Sequence, residues 1–204
     1  MSVMMLAPIA GKSQKYAGIE QYYYTGESQS QIVPRIYMEN EKNYFGEIRY
    51  NYEALNTFSL NFGKAFPFNK NKSISLTPFG GLLLGRMNGG NIGSNFYVEV
   101  QHLFFSAENQ FTFSFSEKTQ NFFYNWTEMG YQPARFWFAG LALQYTRPYR
   151  ISQSWEPGVM MGVTFKNWTF PFYAFDPVGN NRNFVLGINW EWNKNLKETS
   201  PVDF

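Results

Sequence analysis

The charged side chains of this chain are few, and many stand on alternating positions between aromatic and aliphatic neighbours. Glu47 and Arg49 lie two apart in "YFGEIRY", Glu99 and Gln101 in "FYVEVQ", Glu128 stands in "NWTEMG" and Glu191 in "NWEW". In an extended chain a spacing of two puts side chains on one face. Continuing the first row to Asn51 and adding Arg35 gives a candidate polar wall of Arg35, Glu47, Arg49, Asn51, Glu99, Gln101, Glu128 and Glu191, with Glu20 less firmly phased. If "ENEKN" turns near Glu41, Arg35 and Glu47 face each other. Opposite charges so placed either stiffen a wall or shape the field along an aqueous path, and the excess of carboxylates favours cations.

Other chemistry finds less support. The single histidine, His102 in "VQHLFFSAEN", has Ser106 and Ser114 as candidate nucleophiles, but their spacing matches no hydrolase pattern. Without cysteine there is no thiolate nucleophile, zinc-thiolate site or disulfide framework. Dispersed carboxylates beside one histidine make no metal cluster, and "DPVGNN" lacks the repeated oxygen ligands of a calcium loop. No metal or cofactor is expected. A net charge of +2, with lysine and arginine scattered, argues against a nucleic-acid partner.

The elements that must carry these residues read as strands. Two-residue alternation runs from Lys15 to Trp192, punctuated by Gly, Asn, Pro and Asp, and predicts about twelve strands (range 8–14): 15–24, 32–38, 44–52, 57–66, 73–85, 95–105, 110–116, 121–131, 135–146, 156–165, 168–175 and 182–192. In "NQFTFSFSEKT", Phe111, Phe113 and Phe115 oppose Thr112, Ser114 and Ser116. Phe58, Leu60 and Phe62 likewise oppose Thr57, Ser59 and Asn61, and Tyr44, Ile48, Tyr50 and Tyr52 oppose Glu47, Arg49 and Asn51. Alternation alone does not say which face meets water. Charge placement does: the outer face of a soluble barrel is rich in Lys, Glu, Asp and Arg, whereas here the polar face is mostly Ser, Thr, Asn, Gly and Gln, and only 16% of the chain is charged. Phe66, Phe68, Tyr131, Tyr149, Trp155, Trp168 and Trp192 near strand ends fit interfacial girdles. The aromatic face is therefore expected toward lipid.

Loop lengths give an independent sign. Connections such as "TGESQSQ", "RMNGGNIGS", "TRPYRISQSW" and "DPVGNN" alternate with the shorter "ENEKN", "SAEN", "QPA" and "KN", which puts both termini at the short-turn rim. Membrane barrels keep that rim periplasmic. Residues 1–13, apolar from Val3 to Ala10 and followed by Gly11-Lys12-Ser13, read as the remnant of an export signal, although no basic residue precedes the apolar stretch. One barrel domain, 14–192, and a polar tail, 193–204, complete the expected organisation.

The last strand, "NFVLGINWEW", resembles the C-terminal assembly signal of Gram-negative outer-membrane β-barrels. Gly187, Trp190 and Trp192 occupy its glycine and aromatic positions, while Val185 stands where a polar residue is usual. The resemblance implies an all-β, transmembrane, antiparallel up-and-down barrel of porin-like type, placed in the outer membrane by the assembly machinery, with outer-membrane lipid and other envelope proteins as its partners. The expected function is a narrow channel for ions or small polar solutes. A non-conducting barrel that anchors a larger envelope assembly, a lipid-modifying enzyme resting on His102, and a soluble barrel around an apolar ligand are the alternatives.

Overall fold

The computed structural model describes residues 14–26, 30–68, 73–179 and 182–193, so the expected leader and all but the start of the tail lie outside the described residues. The strands are β1 (Gln14–Gly26), β2 (Gln31–Asn40), β3 (Tyr44–Tyr50), β4 (Thr57–Lys64), β5 (Phe66–Pro67), β6 (Ile74–Gly85), β7 (Gly89–Val100), β8 (Leu103–Ser114), β9 (Phe122–Ala134), β10 (Trp137–Pro148), β11 (Ser154–Phe165), β12 (Trp168–Phe175) and β13 (Asn183–Asn193). Each strand pairs antiparallel with its neighbours in sequence, and β1 pairs with β13, which closes the ring. The short β5 continues β4 along the same edge of β6, so the wall has 12 staves. A closed wall leaves no edge whose backbone donors and acceptors would go unpaired in hydrocarbon.

The two faces separate as the alternation predicts. On β4, Phe58, Leu60 and Phe62 are exposed on the outside while Thr57, Ser59 and Asn61 are fully buried inside. On β8, Phe111 points out and Gln110 and Thr112 point in. Leu82, Leu84, Ile92, Leu141, Val159, Met161, Val163, Leu186 and Ile188 are also exposed on this outer surface. A contiguous apolar surface this wide needs a partner phase, and lipid supplies it. A few polar groups stand on the outer wall in mid-strand, where Asn125 donates to the Asn109 side chain (2.9 Å) and Thr127 donates to Asn125 (2.9 Å). They satisfy one another.

Two expected strands are misplaced. In place of 95–105 and 110–116, β7 starts at Gly89 and β8 runs unbroken from Leu103, so "GGNIGS" and "SAEN" are wall and not loop. The glycines there answer to close packing: a Cβ on Gly93 would run into the Asn109 carbonyl and the Phe79 ring. Ser106 and Glu108 alternate with Ala107 and Asn109, polar because their face is the lumen. The true turn is at 101–102, where Gln101 takes a positive φ of 56°. Short turns at 41–43, 101–102, 135–136 and 166–167 share the rim of the described chain ends, called here the terminal rim. Connections at 51–56, 115–121 and 149–153, and residues 176–179 after β12, stand at the distal rim.

Substituting Leu60→Arg should therefore cost about 2–4 kcal/mol of folding stability in bilayers, as a cation at mid-wall does on a lipid face. Denaturant-titrated folding into vesicles reads it, and an unchanged midpoint would mean that this wall faces water.

Candidate functional site

The lumen is built from two unlike walls. The first is charged and lies on β1–β4 and β8. The backbone register puts Arg35 directly opposite Arg49 across β2 and β3, a like-charge pair that would be destabilising alone. Glu47 lies between them. Its Oε2 accepts from Arg35 Nε at 2.7 Å and its Oε1 pairs with Arg49 Nη2 at 2.5 Å, with Asn61 Nδ2 donating to Oε1 at 3.0 Å. Arg35 also reaches Glu20 (3.3 Å), and Arg49 Nη1 reaches Glu108 Oε1 (2.7 Å) and Gln110 Oε1 (3.1 Å). Carboxylates and guanidiniums thus alternate from Glu20 to Glu108 across the bore. Arg49, although charged, is 0% exposed, which only a full set of counter-charges makes tolerable.

Connection 51–56 completes this wall from above. Asn51 and Asn56 both take left-handed φ, 60° and 55°, a conformation asparagine tolerates better than most residues. The chain between them folds into the barrel. Tyr52 lies under the Arg49 guanidinium (4.2 Å to the ring centroid) and donates to Glu108 (2.9 Å), while Glu53 accepts from Gln110 (3.1 Å) and lies 3.8 Å from Arg49. Burial, reinforced by Glu108, pushes the Tyr52 phenol well above its ordinary pKa, so it stays a donor.

The second wall, on β9–β13 and β1, is a hydrophobic core turned inside a barrel. Ala142, Met160, Tyr173, Phe175 and Val185 are buried together, with Tyr22, Tyr24, Phe104, Trp126 and Phe138 against them. Small residues make room for these rings. A Cβ on Gly130 would strike Phe104, one on Gly162 would strike Phe138, and one on Gly187 would strike Tyr22 and Pro171. The inward positions Gly140, Gly158 and Gly162 do not widen the bore, since a Cβ there would meet the Met160, Phe175 and Phe138 side chains.

Between the walls is a cavity of about 930 Å³. Glu39, Pro67, Gln132, Thr164 and Glu191 ring it near the terminal rim, and its lining ends toward the distal rim at Tyr24, Val33, Tyr52 and Glu108. Beyond that level the inward side chains Thr57, Leu83, Thr112, Phe175 and Val185 are fully buried. The cavity opens at the terminal rim and narrows to closely packed side chains at the other.

Of the residues expected on a polar wall, Arg35, Glu47, Arg49, Glu128 and Glu191 point inward, the first three in one ion network and the last two apart from it. Glu99 is exposed at the terminal rim, accepting from Tyr97 (3.0 Å). Asn51 and Gln101 do not line the bore. Asn51 sits in the distal connection, its side chain bonded to the Ile32 carbonyl and the Asn56 amide, and Gln101 is exposed in a terminal turn. Both fail for one reason: a left-handed residue ends the alternation that placed them. Tyr52, expected on the lipid side, is turned into the lumen by the same break. Alternation does not place Glu53, which follows the left-handed Asn51, and the reading of "SAEN" as a turn hides Glu108 and Gln110 on the unbroken β8. His102 is in the terminal turn, edge-on to Tyr131 at 6.0 Å, at the far end of β8 from Ser114, while Ser106 donates to Glu128. Gly187 lies inside and Trp190 and Trp192 alternate with it on β13, which pairs with β1.

No family model matches the sequence, and no curated protein does. Among solved structures the chain is similar to the KdgM porin (TM-score 0.63, 13% identity, 86% of this chain and 99% of that one) and to the NanC porin (TM-score 0.64, 9% identity, 85% and 98%). The chain shares its fold, a closed antiparallel β-barrel, with these porins.

Removing the central cation should be costly. Arg49→Met leaves Glu47, Glu53 and Glu108 buried against one another, and a loss of about 3–5 kcal/mol is expected. Glu99→Gln on the exposed rim should change stability by less than about 0.5 kcal/mol. Urea unfolding of the reconstituted protein, followed by tryptophan fluorescence, separates the two.

Proposed function

We propose that this protein is a channel-forming barrel of a Gram-negative outer membrane, passing small cations or small polar solutes through a narrow bore whose wide end faces the periplasm. The observation that carries this reading is an open cavity, lined by carboxylates as well as rings, inside a wall that is apolar outside. Its direction follows from the termini and short turns, which membrane barrels keep periplasmic. The constriction is the cluster of Arg49, Tyr52, Glu53 and Glu108 near the distal mouth.

Charge supports a preference for cations. Glu20, Glu39, Glu108, Glu128 and Glu191 line the cavity, with Arg35 as their basic companion there. One structure of the similar KdgM porin is described in complex with disordered oligogalacturonate, a polyanion. A bore lined with carboxylates would repel such a chain, so the likeness of fold is not extended to that solute. The full burial of the distal side chains favours a second reading, a non-conducting barrel that serves as a subunit or anchor of an envelope assembly.

Single-channel recording in planar bilayers, on protein verified as folded and inserted, decides between them. Small discrete steps with cation-selective reversal potentials are expected. Tyr52→Ala, which removes one ring and one hydrogen bond from the constriction, should raise conductance or open probability. Silence from both proteins would overturn the channel in favour of the anchor, and anion selectivity would overturn the solute class.

A further inference from the structure

The lumen holds its own cations in one repeated setting. Arg35 lies between Glu20 and Glu47 with its guanidinium 5.2 Å from the centroid of the Tyr37 ring. Arg49 lies between Glu47 and Glu108, 4.2 Å from the Tyr52 ring centroid and 5.5 Å from that of Phe79. Each guanidinium thus has a carboxylate on either side and an aromatic face, an arrangement that replaces the water a cation gives up.

The opposite wall offers one carboxylate beside rings, without the cation. Glu128 Oε1 accepts from Trp126 Nε1 (2.7 Å) and from the Tyr173 hydroxyl (2.8 Å), and Oε2 accepts one longer bond from Ser106 (3.3 Å). These donors are neutral, and none of the ion pairs among the described residues involves Glu128. A carboxylate has about four acceptor positions, so Oε2 keeps capacity. Glu128, Trp126, Tyr173, Tyr22, Phe104 and Phe138 all line the cavity. The side-chain carbonyl oxygens of Asn95 and Asn189, on the same lining, are buried and accept no hydrogen bond within the protein. A carboxylate held in place by neutral donors beside rings, at the edge of a large cavity, lacks the positive partner its counterparts across the lumen possess.

We propose that the cavity binds an organic cation, its guanidinium or primary ammonium group on Glu128 and its carbon chain against Tyr22, Phe104 and Phe138. The proposal builds on the cation-favouring lumen argued above and names its ligand class. A small, strongly hydrated metal ion would gain little from rings at this position, whereas an alkyl guanidinium meets both the carboxylate and the apolar wall.

Calorimetric titration of the folded protein in detergent with agmatine, and separately with glutarate as an anion of comparable length, tests it. Saturable agmatine binding, no glutarate binding, and weakening by about tenfold or more in Glu128→Gln are expected, since the lost contact is a charge-assisted hydrogen bond. Glu117→Gln, which removes the same charge at the distal rim, should leave the affinity unchanged. If Glu128→Gln fails to refold, the contrast between agmatine and glutarate on the unaltered protein still decides. Agmatine bound no better than glutarate, or bound equally by folded Glu128→Gln, overturns the site. Calorimetry reads binding and not passage, so a silent bilayer together with saturable agmatine binding would remove the channel and leave the site.

Discussion

Hydrocarbon offers no hydrogen bonds to a backbone, and this requirement orders the rest of the molecule. It forces the sheet to close, β1 onto β13 and β4 onto β6. Closure in lipid then reverses the usual arrangement of a β protein: Phe58, Leu60, Phe62 and Phe111 go outside, and the polar residues between them go in. A soluble barrel with the same alternation would need its charges on the outer face, and this chain has few to spend there.

Inside, the charged wall and the aromatic wall solve different problems. Arg49 and Glu47 are fully buried, and neither is tolerable without the other. Their network joins strands far apart in sequence, β3 to β8, and secures the inward connection that carries Tyr52 and Glu53. On the other side, Gly130, Gly162 and Gly187 leave room for rings against the wall, so side-chain packing narrows the bore opposite the inward connection 51–56. The accessible space that remains is biased to the terminal rim. Glu128, on β9, carries a charge into the aromatic wall and is held there by Trp126 and Tyr173.

The sequence exposed the barrel through its alternation and its shortage of charge, and the phase of β3 and β4 was readable residue by residue. Arg35 and Glu47 were expected opposite each other. They do form an ion pair, but by a diagonal reach, since the register sets Arg35 against Arg49. What alternation could not reveal were the places where it stops or where polarity misleads. Asn51 and Gln101 turn left-handed and end their rows. The glycines of β7 and the polar "SAEN" of β8 look like loops because a lumen-facing strand in a membrane barrel uses loop-like residues. The aromatic half of the lumen was hidden for the opposite reason: on β12 both faces are largely apolar, so no contrast marks the inner one.

The chain has no cysteine, so single cysteines can be placed at will. Residues 109–115 can be scanned one at a time, each labelled with a fluorophore and read by quenching with nitroxide lipids. A lipid-facing aromatic row gives strong quenching at positions 111 and 113 and weak quenching at 110 and 112. The reverse phase, or no alternation at all, would contradict a barrel whose aromatic face meets lipid.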